Sequence, residues 1–371
     1  MPEFKSHHCW FNGKSLLSIC CLNLPCANRN FSYLCRVPIY SEMPESVHIC
    51  IAGAGTLGTA LGHILAAKPG LDVSLLSIEE PVVYDINSKH INPAYFPMIR
   101  LAPGLKATTD NTVLRKADVV FVAIPSVAVV PYITGIKEWL KPDALLVNLA
   151  KGFGNDNKTI VENLLEITGN PVCTLKGPTF AREMINHIPT AMTVGAESET
   201  IYFQLNQIFS GTTIYTDFST DIKGVETLSI LKNIYAILIG IVDAHFDSPN
   251  LRFLIFTKAF DEMRRVLLYY GGREETLFRY CGIGDFGLTA LNDLSRNRTL
   301  GLLIGKGYFT SGISDKVVLE GKISVNIFVS ELQRLGMPEK DYFLMNELNK
   351  VFNGSYKISL FVSRLLDHSY S

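Results

Sequence analysis

A glycine-rich turn is the first part of the chain whose residue types and spacing could bind a charged ligand. Gly53, Gly55 and Gly58 follow an apolar run at 47–51, and a helical pattern follows them. In a strand–turn–helix context the first glycine permits a tight turn, the second lets the backbone approach a pyrophosphate, and the third lets helix and strand pack closely. The free amides of the helix N-terminus then bind the phosphates. The segment predicts a dinucleotide site, with an ordinary glycine turn as the alternative.

Two acidic residues lie where they could choose between dinucleotides. Glu79 and Glu80 follow a predicted strand at 72–76 and come about 20 residues after the last glycine, the distance typical of the residue that binds the adenosine ribose. A carboxylate there accepts hydrogen bonds from the ribose hydroxyls and repels a 2′-phosphate. We therefore expect NAD as the cofactor, with NADP as the second candidate.

Lys232 is the most unusual residue of the second half, because it stands inside a long apolar segment of helical length, residues 225–243. Two interpretations are open at this point. Its ammonium group could extend along its apolar neighbours to the surface, or it could be held inside for chemistry. Apolar residues surround it on all faces of the helix, which favours burial, and buried lysines are costly and tend to be functional.

A run of hydrogen-bond donors follows later in the chain. Ser295, Arg296 and Asn297 offer a fork of donors that suits a phosphate or a carboxylate, with a polar surface loop as the alternative. Upstream of them, the glycines of 282–284 lead to Asp285, a pattern that predicts a loop followed by the start of a helix.

The elements that must position these groups alternate between apolar strands and helices. Unbroken apolar strands separated by helices indicate a parallel sheet covered on both faces, and such sheets bind ligands beyond the carboxyl ends of their strands. Three strands end in turns that would reach this edge: 118–124 before Pro125-Ser126, 145–148 before Lys151-Gly152, and 172–175 before Gly177-Pro178-Thr179. Their convergence indicates a binding cleft at this edge.

The β signal fades after residue 222, which divides the body of the chain in two. We predict the α/β fold class, with an N-terminal Rossmann-type dinucleotide-binding domain at 46–222 and an all-α substrate-binding domain at 223–371. Residues 1–45 hold five of the eight cysteines and show no periodicity, so we interpret them as a disordered or non-native extension with Met43 as the natural start. They contain no Cys-x-x-Cys pair, and no metal is assigned.

Composition narrows the class of protein further. The 371 residues are 47% hydrophobic and 19% charged with a net charge of −1, values that exclude a disordered chain and leave room for two domains. The near-neutral balance gives no electrostatic reason to expect nucleic acid or an anionic membrane as partner. No continuous apolar run reaches the roughly 18 residues of a spanning helix, so we expect no membrane insertion. The scattered cysteines of the body indicate a reduced, cytoplasmic protein.

From about residue 46 to residue 368, the chain resembles the NAD(P)-dependent glycerol-3-phosphate dehydrogenases of the bacterial type. The motifs that carry the resemblance keep the same order over nearly the whole body: GAGTLGTAL from Gly53, NPAYFP from Asn92, KG at Lys151, GPTFARE from Gly177, LKN from Leu231, GIGDFGLT from Gly282, LSRNR from Leu294 and LEG from Leu319.

The resemblance implies that the chain interconverts dihydroxyacetone phosphate and sn-glycerol 3-phosphate, which supplies glycerophospholipid synthesis. Lys232 would be the general acid/base, Lys151 would add positive charge beside cofactor and substrate, and Asp285 would bind the substrate or orient the acid/base lysine. The implied substrate contacts are Lys151, Gly177, Thr179, Lys232, Asp285, Ser295, Arg296 and Asn297. The implied cofactor contacts are Gly53, Gly55, Thr56, Leu57, Gly58, Glu79, Pro125, Lys151, Ala181, Arg296, Val318 and Glu320. Members of the family are often homodimers, but the sequence identifies no interface.

Five positions depart from the family pattern. Leu57 stands where an aromatic residue is usual, Ile78 where a basic residue is common, and Gly154 where a glutamate is frequent. Leu228 and Ser229 replace two small residues, usually glycines, shortly before the acid/base lysine. These departures keep open the alternative of a dinucleotide- or phosphometabolite-binding protein without turnover. A hydroxy-acid dehydrogenase with the same two-domain plan is a third hypothesis, which the phosphate-binding donors disfavour.

Overall fold

The computed structural model describes residues 46–308, 315–354 and 357–367, with the backbone alone for 315–320. Before residue 46 it describes a short antiparallel ladder, in which Trp10–Phe11 (β1) pairs with Lys14–Ser15 (β2). The chain divides into two units, Met1–Met43 and Pro44–Ser371, and the second carries every element named below. The interpretation of residues 1–45 as an extension and the cofactor roles of Val318 and Glu320 lie outside the described residues and side chains.

An eight-stranded sheet forms the centre of the first half of the larger unit. Its strands are β3 (Val47–Ala52), β4 (Leu71–Leu76), β5 (Lys106–Thr108), β6 (Val119–Val122), β7 (Leu145–Asn148), β8 (Val172–Lys176), β9 (Thr190–Gly195) and β10 (Ile214–Ser219). They lie in the order β10-β9-β8-β7-β6-β3-β4-β5. The strands from β8 to β5 pair in parallel, whereas β9 runs antiparallel to β8 and parallel to β10. The carboxyl ends of β3, β6 and β7 therefore meet at one edge.

Helices cover both faces of this sheet. They are α1 (Thr56–Ala66), α2 (Glu80–Lys89), α3 (Ser126–Ile136), α4 (Ile160–Ile167), α5 (Ala181–Met184) and α6 (Glu199–Phe209). Along β6, Val119 and Phe121 belong to the core under α1, α2 and α6, whereas Val120 and Val122 belong to the core under α3 and α4. Burial on both faces explains why the central strands are unbroken apolar runs. The predicted Rossmann-type sheet is confirmed.

Three strands of the sheet are not predicted by the sequence pattern, and two of them change the expected all-parallel arrangement. β5 has only three residues and includes the exposed Lys106. β9 and β10 run opposite to the other strands, which corrects the expectation of a purely parallel sheet. β10 is an edge strand whose middle residues are exposed or half-buried, so it lacks the apolar run that marks the central strands.

The second half consists of helices around one buried helix, α7 (Ile222–His245). In the described residues the others are α8 (Pro249–Tyr269), α9 (Asp285–Leu291), α10 (Arg296–Gly305), α11 (Asp315–Leu335), α12 (Phe343–Asn353) and α13 (Ile358–Asp367). Helix α7 is long and apolar enough to cross a membrane, but 94% of its most apolar 18-residue stretch is buried inside the protein. It is the core helix of this half, against which the other helices pack. The predicted all-α second half is confirmed.

Glycines and one ion pair hold α10 against α7. A Cβ atom at Gly301 would lie 2.0 Å from the carbonyl oxygen of Ile237, and one at Gly240 would lie 2.3 Å from the carbonyl oxygen of Arg298. Because both partners are backbone atoms, neither overlap could be relieved without separating the helices. The guanidinium group of Arg298 also donates to Asp243 of α7 at 2.8 Å. The start of α10 is therefore held in a fixed position relative to α7.

Candidate active site

The turn between β3 and α1 is shaped for the close approach of a ligand. Gly53 has a φ of 110°, which residues with a side chain rarely adopt, and a Cβ atom at Gly58 would lie 1.9 Å from the Gly53 carbonyl oxygen. At Gly55, by contrast, a Cβ atom would meet no protein atom within 4 Å. Helix α1 begins at Thr56, so the free amides and the positive dipole end of the helix lie at this turn. The turn has the open cradle that a pyrophosphate needs.

The NPAYFP segment braces this turn through one buried amide. Asn92 is fully buried, and its Nδ2 donates to the carbonyl oxygen of Ala54 at 3.0 Å and to Thr59 Oγ1 at 2.9 Å. The Thr59 hydroxyl donates in turn to the same Ala54 oxygen at 3.0 Å. These bonds join the middle of the glycine turn to the first turn of α1. The motif is visible in the sequence, but this role of Asn92 is not.

The position predicted to bind the adenosine ribose lies just beyond β4. Ile78 is 94% exposed there, and Glu79 and Glu80 are exposed as well. Glu79 is the N-cap residue of α2, and its amide is held by Ser77 Oγ at 3.1 Å. The residues 77–80 present two carboxylates and no cation, which suits ribose hydroxyls better than a 2′-phosphate.

Three residues predicted to act in catalysis meet in one hydrogen-bonded cluster. Asp285 Oδ1 accepts from Lys232 Nζ at 2.5 Å, and Asp285 Oδ2 accepts from Lys151 Nζ at 2.8 Å. The hydroxyl of Thr289, one helical turn after Asp285, accepts from Lys232 at 2.8 Å. Lys151 also donates to the carbonyl oxygen of Gly177 at 3.3 Å. One carboxylate therefore joins two ammonium groups that come from different halves of the chain, and we call this arrangement the Asp285 cluster.

The fold delivers these three residues from distant elements. Lys151 follows β7 at the carboxyl edge of the sheet, Lys232 lies in the middle of α7, and Asp285 is the first residue of α9. A wide π-type turn, Tyr280–Gly284, leads the chain into α9. Inside this turn a Cβ atom at Gly282 would lie 2.1 Å from a backbone oxygen, so the turn requires glycine. The predicted loop and helix start before and at Asp285 are confirmed.

Burial governs the protonation of Lys232. The residue is only 5% exposed and Asp285 only 1%. Loss of water lowers the pKa of the Lys232 ammonium to about 7, although the Asp285 carboxylate opposes this effect, and the Lys151 ammonium lowers the pKa further. A lysine with a pKa near neutrality can donate and accept a proton at the same working pH. Of the two interpretations of Lys232, burial is the correct one.

Other predicted residues of the sheet edge occupy the turns after the strands. The Gly177 carbonyl oxygen, which accepts from Lys151, also accepts from Thr179 Oγ1 at 3.2 Å. Pro125 is the N-cap residue of α3, and Ala181 is the first residue of α5. The structure therefore joins Gly177 and Thr179 to the Asp285 cluster by hydrogen bonds and places Pro125 and Ala181 at the starts of helices.

The run of donors lies at the start of α10. Ser295 is buried and caps this helix, because its Oγ accepts from the amide of Arg298 at 3.3 Å. Arg296 is exposed and Asn297 is half-buried. Within the described part of the chain, neither of these two side chains makes a hydrogen bond or joins the Asp285 cluster. They remain available to a ligand at the N-terminus of a ten-residue helix.

The structure contains a second buried ion pair near Lys151, which the sequence did not predict as part of the site. Lys176, the last residue of β8, is fully buried, and its Nζ lies 3.3 Å from Oε1 of Glu226 in α7. The only sequence signal for it is a lysine at the end of the largely apolar segment 172–176, VCTLK. Sequence alone does not distinguish such a lysine from one that leaves the sheet for solvent.

Comparison with known proteins identifies one family over both halves of the chain. A family model described as the N-terminus of NAD-dependent glycerol-3-phosphate dehydrogenase matches residues 48–202, and the model of its C-terminus matches residues 221–363. The chain belongs to this family. Membership confirms the family, the fold class and the NAD(P) cofactor class that the motifs predict.

Individual members of the glycerol-3-phosphate dehydrogenase family match over most of their length. The glycerol-3-phosphate dehydrogenase (NAD(P)+) of Desulfovibrio desulfuricans is 38% identical over 269 residues, which cover 71% of this chain and 80% of that protein. The enzyme of the same name from Leptospira biflexa is 35% identical over 265 residues, 70% of this chain and 79% of that protein. The crystal structure of glycerol-3-phosphate dehydrogenase from Coxiella burnetii has a TM-score of 0.80 at 27% identity and covers 88% of this chain and 100% of that one.

The open space at Gly55 generates a prediction about dinucleotide binding. A Cβ atom there touches no protein atom, so Gly55→Ala should leave the free energy of unfolding unchanged. The same methyl group stands where a pyrophosphate must approach, so the Kd for NADH should rise at least about 10-fold, or about 1.4 kcal/mol. Urea unfolding and NADH fluorescence titration measure the two quantities.

The matched control is Gly169→Ala, which adds a methyl group at another glycine with no protein atom within 4 Å. It should change neither quantity. Wild-type affinity for NADH in Gly55→Ala would show that the cofactor does not approach this turn.

Proposed function

We propose that this chain interconverts dihydroxyacetone phosphate and sn-glycerol 3-phosphate with NAD(H). The observation that carries the proposal is the Asp285 cluster, in which one carboxylate binds both Lys151 and Lys232. Lys151 lies at the carboxyl edge of the sheet, where the glycine turn after β3 also lies. Relatives that match both halves of the chain carry this dehydrogenase activity in their names.

The cluster contains the groups that a carbonyl reduction requires. Bound NAD(H) supplies or accepts the hydride. In reduction, the Lys232 ammonium donates a proton to the ketone oxygen of dihydroxyacetone phosphate, which yields the secondary alcohol; in oxidation, its neutral amine takes the hydroxyl proton. Lys151 stabilises the negative charge that develops on this oxygen. Asp285 holds both lysine side chains in position, and its negative charge offsets the repulsion between their two ammonium groups.

The donors of α10 supply the site for the substrate phosphate. Arg296 provides a charged fork and Asn297 a neutral amide, both at the positive end of the helix. The close contact of Gly240 in α7 with Gly301 in α10 holds the two helices together. The donors at the start of α10 therefore keep a fixed position relative to Lys232, which lies in α7. A phosphorylated three-carbon substrate is therefore favoured over an unphosphorylated hydroxy acid.

The departures from the family pattern do not support the alternative of a binding protein without turnover. Leu228 is fully buried in the core of the helical half, and the Ser229 hydroxyl donates to a carbonyl oxygen of its own helix at 2.7 Å. A Cβ atom at Gly154 would lie 1.9 Å from Asn163 Oδ1, so Asn163 occupies the space that a glutamate would need. Leu57 is half-buried against the sheet core. The added bulk is absorbed in the protein interior, and every group of the Asp285 cluster is retained.

We place this activity in the cytoplasm, where it would supply glycerophospholipid synthesis. Cys50, Cys173 and Cys281 are free and buried, as expected for a protein of a reducing compartment. The small phosphorylated substrate is the partner that the site supports, and a homodimer remains an expectation from the family resemblance.

The acid/base role of Lys232 predicts the effect of Lys232→Met on turnover. This substitution keeps an unbranched side chain in the buried position but removes the proton donor. With NADH and dihydroxyacetone phosphate, kcat should fall about 10²- to 10⁴-fold while the Kd for NADH stays within about twofold. Absorbance loss of NADH and fluorescence titration measure these quantities.

Lys106→Met is the control, because its side chain is 65% exposed on an edge strand. It should keep wild-type kcat. Wild-type turnover in Lys232→Met would refute the acid/base assignment, and a wild-type protein that oxidises neither NADH nor NADPH in the presence of dihydroxyacetone phosphate would refute the proposed activity.

The exposed side chain beyond β4 predicts the choice of cofactor. Wild-type kcat/KM should be at least as high for NADH as for NADPH, because residues 77–80 offer carboxylates and no cation. Ile78→Arg places a guanidinium group where a 2′-phosphate would lie and should raise kcat/KM for NADPH about 10-fold, equivalent to about 1.4 kcal/mol. Parallel assays with both cofactors measure the ratio.

Tyr215→Arg adds the same charge on β10, at the opposite edge of the sheet, and should leave the ratio unchanged. A strong wild-type preference for NADPH, or an unchanged ratio in Ile78→Arg, would contradict the assignment of this position.

A further inference from the structure

A fully buried lysine outside the Asp285 cluster binds the main chain that leads to Lys151. Lys176 Nζ donates to the carbonyl oxygen of Ala150 at 2.6 Å and to that of Asn148 at 3.0 Å, and it lies 3.3 Å from Glu226 Oε1. These three acceptors satisfy all three protons of the ammonium group. Two of them belong to the four residues that end in Lys151.

The partner carboxylate is equally well satisfied. Glu226 Oε1 accepts from Asn148 Nδ2 at 2.6 Å and from Thr174 Oγ1 at 2.7 Å, and Oε2 accepts from the amide of Val161 at 3.0 Å. Glu226 therefore joins α7 to the end of β7, to β8 and to the start of α4. Lys176 supplies the one positive charge in this group of contacts.

The positions of the two partners connect the two lysines of the Asp285 cluster. Ala150, which accepts the shorter of the two carbonyl bonds of Lys176, immediately precedes Lys151 in the chain. Glu226 lies on α7, fewer than two helical turns before Lys232. The Lys176–Glu226 pair thus ties the segment that carries one cluster lysine to the helix that carries the other.

The Lys176–Glu226 pair is costly to bury, because both charged groups lose their water. Burial lowers the pKa of Lys176 to about 8, against the opposing effect of Glu226, and the nearby Lys151 lowers it further. A buried ion pair of this kind adds little to stability compared with apolar residues of similar volume, so stability alone does not account for it.

We propose that Lys176 is a positioning residue of the dehydrogenase reaction, which it serves by holding the Asn148–Lys151 segment against α7 so that Lys151 reaches Asp285. The kinetic part of this proposal rests on the proposed function. Its structural part, the placement of Lys151, does not.

The kinetic test uses Lys176→Met, which keeps the length and volume of the side chain but removes its three hydrogen bonds. A misplaced Lys151 should lower kcat for dihydroxyacetone phosphate reduction about 10- to 100-fold with little change in the KM for NADH. Because Lys151 lowers the pKa of Lys232, its displacement should also move the midpoint of the pH–rate profile to higher pH. A purely structural role would move neither the midpoint nor the balance between kcat and KM.

The double variant Lys176→Met/Glu226→Gln keeps the test valid if the single variant folds poorly. It removes the carboxylate charge that Lys176→Met leaves unpaired, so its Tm should recover toward that of the wild type. Its kcat should stay low, because the Ala150 carbonyl still lacks the 2.6 Å bond from Lys176 and keeps only the 3.4 Å bond from Asn148 Nδ2. Wild-type kcat and an unchanged pH midpoint in either variant would overturn the proposal.

A readout independent of turnover is the rate at which acetic anhydride labels Lys151, followed by peptide mass spectrometry. In both variants this rate should rise several-fold, because loosening the Asn148–Lys151 segment exposes the Lys151 amine, which its ion pair with Asp285 protects in the wild type. Labelling of the exposed Lys106 should stay constant. An unchanged rate at Lys151 would overturn the proposal even in a protein without turnover. An inactive wild-type protein would instead refute the proposed function.

Discussion

The Asp285 carboxylate is the group on which the candidate site depends. Its two oxygens accept from two ammonium groups, Lys232 at 2.5 Å and Lys151 at 2.8 Å. At these distances and with little water, each pair interacts far more strongly than it would at the surface. With Lys232 protonated, the three charges leave a net positive site that suits an anionic substrate. Burial, opposed by the Asp285 charge, lowers the pKa of Lys232 to about 7, so that it can exchange a proton near neutral pH. Without the carboxylate, two like charges would face each other in a buried space.

Much of the surrounding fold serves to hold this carboxylate still. Phe286, the residue after Asp285, stacks on Phe256 of α8 with ring centroids 4.4 Å apart and planes within 10°. The amide of Cys281, in the turn before α9, donates to Thr193 Oγ1 of β9 at 3.0 Å. Strand β9, which runs antiparallel to the central strands, therefore holds the turn that leads into α9. The two halves of the chain are therefore joined beside the Asp285 cluster, where we propose that the chemistry occurs.

Sequence predicts the parts of this arrangement that depend on local pattern. The glycine spacing, the unbroken central strands and the apolar surroundings of Lys232 are local signals, and the structure agrees with each of them. The Asp285 cluster depends on contacts across 134 and 53 residues, so only the family resemblance, and no spacing, pointed to Asp285. The Lys176–Glu226 pair has only an ambiguous local signal, a lysine at the end of a strand, and the edge strand β10 has none. Tertiary contacts rather than propensity bury a lysine at a strand end and place a half-exposed strand in a sheet.

The pH dependence of kcat/KM for dihydroxyacetone phosphate reduction, in the wild type and in Asp285→Asn, tests this account most directly. In the proposed reaction Lys232 must be protonated for reduction, so the rate should fall as pH rises through its pKa, with a midpoint near 7 in the wild type. Asparagine removes the charge that raises this pKa, so the midpoint should move to lower pH in the variant. The same midpoint in both proteins, or a wild-type rate that stays constant from about pH 6 to about pH 9, would contradict the coupling of Lys232 to Asp285.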